Sequence, residues 1–141
     1  ANDATLQQTA GLMVSIGQHG EGMSTADIAD ISAQLDGHVA AAPNDPYVLK
    51  LAAQSRRALS DYSQDRARRV ELRHKALAEL DKLRQGLQQK LEQELGRAEA
   101  RWGQDRFENL RLAAQKLADQ LTAVEELEER LRRQLEPDQG H

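Results

Sequence analysis

The sequence contains no cysteine, only three prolines, and four aromatic residues in 141 positions. Without cysteine there is no disulfide, no thiol catalysis and no thiolate metal site. Large interiors draw much of their buried area from aromatic rings. Here Tyr47, Tyr62, Trp102 and Phe107 are the whole supply, so a core must be built from Leu and Ala. That predicts narrow helix–helix seams and an elongated shape. β-Branched residues are scarce after position 48, where only Val70, Thr122 and Val124 occur, which disfavours strands. No apolar run approaches the roughly 20 residues that would span a bilayer, so no membrane insertion is expected.

What is present is charge and helix formers. Charged residues make up 30% of the chain, and Leu, Ala, Glu, Gln, Arg and Lys dominate its latter part. Net charge is −4 but unevenly spread. Residues 1–45 carry six acids and no Lys or Arg; residues 46–106 carry fourteen bases and nine acids; residues 107–141 carry five bases and eight acids. An acidic head able to dock on a basic middle is one consequence, solvated surfaces the plainer one. The chain opens Ala1-Asn2-Asp3 without Met. That start suits a mature exported protein, so a bacterial periplasmic or secreted location is expected, with the cytoplasm as the other option.

Local signals divide the chain into an acidic helical head, residues 1–45, and a long coiled-coil region, residues 46–141, with a frayed tail. Residues 4–17 read as a short helix. After the glycine-rich stretch HGEGMS, Ser24 or Thr25 offers an N-cap and Asp27 suits the first turn. Ile28, Ile31, Leu35 and Val39 then form a helical stripe that should stop near Ala42, before Pro43. Asp45 can cap the next helix with Pro46 at its first position. The run HVAAAPNDPYVLKLAAQSRRAL resembles the junction between two helices of a tetratricopeptide repeat. No second copy appears at the repeat spacing, so no peptide-binding function follows from it.

From Tyr47 to Leu135 no proline occurs, and 89 helical residues at about 1.5 Å each would reach about 130 Å. Two apolar seams run through this stretch. Leu77, Leu80, Leu87, Leu91 and Ala98 keep a 3,4 spacing interrupted by Arg84 and Glu94. Leu110, Ala114, Leu117, Leu121, Val124, Leu131 and Leu135 keep another, interrupted by Glu128. Such seams need a partner helix. The phase is lost between them, at Trp102 and Gly103, with Gly96 upstream. Two all-α structures account for the slip. One is a continuous long helix with a stutter, which must dimerise. The other is an antiparallel hairpin turning near Gly96–Gly103. The continuous helix, with a homodimer as its consequence, is preferred.

Chemistry-bearing patterns are sparse. None of His19, His38, His74 and His141 accompanies a nucleophile motif, and no glycine-rich loop suits phosphate, so no enzyme, cofactor or small-molecule substrate is expected. His19, Glu21 and Met23 alternate in the glycine-rich stretch and His38 lies on the following helix, which makes a metal-responsive sensor a minority reading. Arg56, Arg57, Arg66, Arg68, Arg69, Arg73 and Lys75 form a basic run, but interleaved acids and few aromatics argue against nucleic acid. The run QDRARR at 64–69 resembles one in a periplasmic holdase family with long tentacle helices, and implies an envelope chaperone or assembly factor as an alternative. The leading expectation is a non-enzymatic interaction or scaffold module. It would bind protein through Leu77, Leu80, Leu87, Leu91, Trp102, Leu110, Leu117, Leu121, Val124, Leu131 and Leu135.

Overall fold

A computed structural model describes residues 3–100 and 105–139. The described chain is 93% helical, with five α-helices and no strand. They are α1 (Asp3–His19), α2 (Thr25–Ala41), α3 (Pro46–Tyr62), α4 (Arg66–Ala100) and α5 (Asp105–Gln139), with one 3₁₀ turn at Gly20–Gly22. No helix among the described residues is long and apolar enough to cross a membrane.

The helix starts follow from capping chemistry. Ser24 accepts from the Asp27 amide at 3.1 Å and gives its own amide to Asp27 Oδ2 at 3.0 Å, a reciprocal box that satisfies two otherwise orphaned donors. Asp45 accepts from the amides of Tyr47 and Val48, with Pro46 supplying the position that has no N–H to satisfy. α2 runs to Ala41, as Pro43 requires.

Past Pro46 the chain is not one rod. α3 ends at Tyr62, and Ser63-Gln64-Asp65 starts a new helix. Asp65 Oδ1 takes the Ala67 amide at 3.0 Å, and Arg69 ties back to the Ser63 carbonyl at 3.2 Å. Asp65 thus serves as a cap. The second discontinuity falls where the seams slip, and it overturns the continuous long helix preferred from the sequence. Arg84 in α4 meets Glu128 in α5, and Arg73, nearer the start of α4, reaches the Gln134 carbonyl near the end of α5. The two 35-residue helices are therefore antiparallel, and the chain reverses between Ala100 and Asp105. Of the two structures the sequence allowed, the hairpin is the one adopted. It lets the chain bury its own stripes, which a straight helix leaves bare without a partner.

α3 joins the hairpin to the first two helices. On one side Leu49 and Ala53 pack with Ala76, Leu80, Leu83 and Leu87 of α4 and with Val124 and Leu131 of α5. On another, Ala52 and Leu59 join Leu72 of α4 and Ile16, Ile28, Ile31 and Leu35 of α1 and α2. Each fully buried Leu or Ile is worth about 1.5–3 kcal/mol. The core is aliphatic, built from Leu, Ile, Val and Ala, as the shortage of aromatics implies.

The acidic head and basic middle meet where the buried Arg56 reaches half-exposed Asp36. Arg56, only 2% exposed, donates from Nε to Glu79 at 2.8 Å and from Nη2 to Asp36 at 2.9 Å. Lys75 reaches the same Asp36 at 3.1 Å. Asp36 belongs to α2, Arg56 to α3 and Glu79 to α4, so a single guanidinium ties three helices together.

Candidate functional site

The seam residues come first. Leu80, Leu87, Val124, Leu131 and Leu135 are buried, while Leu77, Leu91, Leu117 and Leu121 are half-buried along the hairpin. Leu77, Leu117 and Leu121 pack against the same cluster as Leu80, Leu87, Val124 and Leu131. The stripes face each other inside one chain. Trp102 and the side chain of Leu110 lie outside the described residues.

The basic run is largely spent on structure. Arg56 is buried in its two ion pairs. Arg73, also buried, donates to Ser60 Oγ at 3.2 Å and to the Gln134 carbonyl at 3.1 Å.

His19, Glu21 and Met23 line a polar cavity of about 600 Å³ with Asp27 and Tyr62. His38 is not among them. Its Nδ1 lies 3.2 Å from Thr9 Oγ1, and Thr9 in turn donates to the Thr5 carbonyl at 2.8 Å. Because the hydroxyl proton is committed to Thr5, Nδ1 carries the histidine proton and Thr9 accepts it. Burial holds the His38 imidazole below its ordinary pKa. Among the described residues no group of three or more His, Asp or Glu side chains is placed to hold a metal ion.

The feature with the shape of a binding site lies between α3, α4 and α5. α3 packs on α4 in the opposite sense, since Arg56 and Ser60 late in α3 meet Glu79 and Arg73 early in α4. α5 packs on another face of α4, also antiparallel. With α4 in the middle, its two neighbours leave a trough of about 350 Å³ between them. Leu80, Leu83 and Leu87 line it from α4, and Leu117, Val124 and Leu127 from α5. α3 contributes Tyr47, Lys50 and Gln54, successive positions on one helical face. Pro46, Lys90, Gln120 and Ala123 complete the rim, and among the described residues no carboxylate or histidine lines the trough.

Tyr47 is 68% exposed at the mouth, and Lys50 and Lys90 are exposed beside it. A second depression lies across the start of α3, between Asn44, Pro46 and Leu49 and the α4 face that carries Lys82 and Lys90. This end of the molecule is therefore apolar below and basic at the edge.

Four of the seam residues singled out from the sequence, Leu80, Leu87, Leu117 and Val124, line this trough. Leu83, Leu127, Tyr47, Lys50 and Lys90 were not singled out. The signal was there for two of them. A two-helix seam needs only its 3,4 positions, so an extra Leu flanking each seam, Leu83 and Leu127, indicates further helix contact. Comparison with protein-family models, with curated proteins and with solved structures finds no match to this chain.

Proposed function

We propose that this chain is a non-enzymatic helical interaction module that holds a partner protein in the trough between α3, α4 and α5. The observation that carries the reading is the lining itself. Apolar side chains form the floor, an exposed aromatic stands at the mouth, and the polar groups present are amides, ammonium groups and one phenol. Tyr is a frequent anchor in protein interfaces because it offers large area at low entropic cost. The same set offers no paired acid and base for proton transfer.

In this reading the coiled-coil seams act at one remove. They close the hairpin and thereby build the trough, rather than receiving the partner along their whole length. The partner meets only the residues that remain open beside α3.

The test is site-specific crosslinking in the native cell. A photoreactive phenylalanine analogue replaces Tyr47, and adducts are compared with those formed when Ala123→Trp also fills the trough. Adducts to a defined protein that disappear with Ala123→Trp support the reading. No adduct, or adducts indifferent to Ala123→Trp, overturns it.

A further inference from the structure

Resting on that reading, we infer that the occupant of the trough is one amphipathic α-helix of a partner protein, with carboxylates in its last turns, lying antiparallel to α3 and α5. Three observations lead there: the arrangement of the helices, the pattern of the lining and the charge at one end.

α3, α4 and α5 alternate in direction, and α4 lies between the other two. Such an arrangement occupies three corners of an up-down four-helix bundle and leaves the fourth corner open. The helix that fills it lies beside both α3 and α5 and runs opposite to each, hence in the direction of α4.

The lining has helical pitch along α4 and α5. Leu80, Leu83, Leu87 and Lys90 recur at 3, 4 and 3 along α4, and Leu117, Gln120, Val124 and Leu127 recur at 3, 4 and 3 along α5. Each row spans eleven residues, about 15 Å, or nearly three helical turns. Leu80, Leu83, Leu87 and Val124, each at most 7% exposed, form the floor between those rows, and half-buried Leu117 and Leu127 with exposed Ala123 form the wall that a guest helix meets. The volume, about 350 Å³, suits a few Leu-sized side chains spaced along one face of a guest helix.

Charge sets the chemistry and the direction. Lys50 and Lys90 both stand at the end where α3 begins, and neither has a carboxylate partner among the described residues. A helix running with α4 brings its C-terminal end to those two lysines. Acidic residues in its last turns then meet unneutralised ammonium groups, and the negative end of its own dipole adds in the same sense.

The test uses a phage-displayed library of conformationally constrained helical peptides, selected on the full chain, with affinities of recovered peptides read by fluorescence anisotropy. Enriched peptides are expected to carry apolar residues at i, i+3 or i+4, and i+7, followed by Asp or Glu. Ala123→Trp, at an exposed wall position that leaves the core untouched, should weaken them at least tenfold. So should Lys50→Glu combined with Lys90→Glu, and changing the peptide carboxylates to Lys should restore binding to that double variant. Circular dichroism of each variant checks that it is folded.

Peptides that need the open trough yet carry no acidic bias, or ignore the lysine reversals, overturn this inference and leave the interaction module standing. Peptides indifferent to Ala123→Trp, or none at all, overturn it too, and the Tyr47 crosslink then decides the broader reading by itself.

Discussion

Arg84 and Glu128, charged residues that each interrupt one of the two apolar seams, find each other: Arg84 Nε donates to Glu128 Oε1 at 3.1 Å across the hairpin. Glu128 is 2% exposed and also accepts from Arg132 at 3.1 Å, while Arg84 makes a second pair with Asp81. The Glu128 carboxylate holds the guanidinium even further above its ordinary pKa. A charged position in one seam is a flaw; opposite charges at matching heights in two antiparallel seams fix the register.

Removing one partner should therefore cost more than removing both. Arg84→Ala leaves Glu128 buried with only Arg132, itself more than half exposed, and a loss of about 1–3 kcal/mol is expected. Arg84→Leu with Glu128→Leu replaces the pair by apolar side chains at both heights and should match or exceed the wild type in urea unfolding. Its cost should appear as lost specificity, with higher oligomers in sedimentation as continuous apolar seams pair between chains. A double variant as unstable as the single one, and still of one size, contradicts this account.

That pair also shows what the sequence made legible. All-helical class, the head helices, the Ser24 and Asp45 caps and the position of the phase slip followed from local chemistry, because caps and periodicity act over a few residues. The choice between stutter and hairpin did not, since it depends on whether the two seams satisfy each other. Arg84 and Glu128 held the answer, but only as a pair 44 positions apart. The break at Ser63–Asp65 was hidden for a different reason. It has no Pro or Gly, and Asp65 fits a helix interior and an N-cap equally well on paper. The trough was hardest to foresee, being the space left between three helices whose mutual arrangement no local pattern specifies.

Gly20 shows a constraint of another kind. The Tyr62 ring lies so close to its backbone that a Cβ there would overlap the ring. Gly20 is buried, and Tyr62 packs against the cluster that joins α1, α2 and α3. Gly20→Ala should cost about 1–3 kcal/mol by forcing the ring aside. Adding Tyr62→Leu should recover part of that loss. Equal thermal stability of Gly20→Ala and wild type would rule out the close approach as a determinant of the fold.

His38 should make the head acid-sensitive. Its folded pKa is lowered from 6.5 by burial, so between that value and the folded pKa the unfolded chain binds more protons. The contribution is present above the unfolded value and is lost as pH falls through the folded one. His38→Gln retains an amide donor for Thr9 and removes the titration. Stability measured from pH 7.5 to 5 should fall for the wild type with a slope that is shallower in the variant. Parallel profiles would show that His38 does not contribute.

The three-helix contact around Arg56 should respond to pH in two opposed ways. Burial pushes the Glu79 carboxyl up, beyond what Arg56 offsets. Burial also acts on Asp36, but Lys75 and Arg56 together outweigh it and hold that carboxyl below its ordinary 3.8. For Glu79 the favourable contribution is present below its unfolded value of 4.5 and is lost as pH rises through the folded pKa. For Asp36 it is present above 3.8 and is lost as pH falls through the folded pKa. Glu79→Gln should thus improve relative to wild type as pH rises from about 4 towards neutrality, whatever its absolute offset. Asp36→Asn should show the reverse, its deficit large at neutral pH and shrinking in acid. Urea midpoints of both variants at pH 3.5, 5 and 7 read the two slopes directly. Slopes of the same sign would mean that Arg56 does not divide its charge between α2 and α4 as the geometry requires.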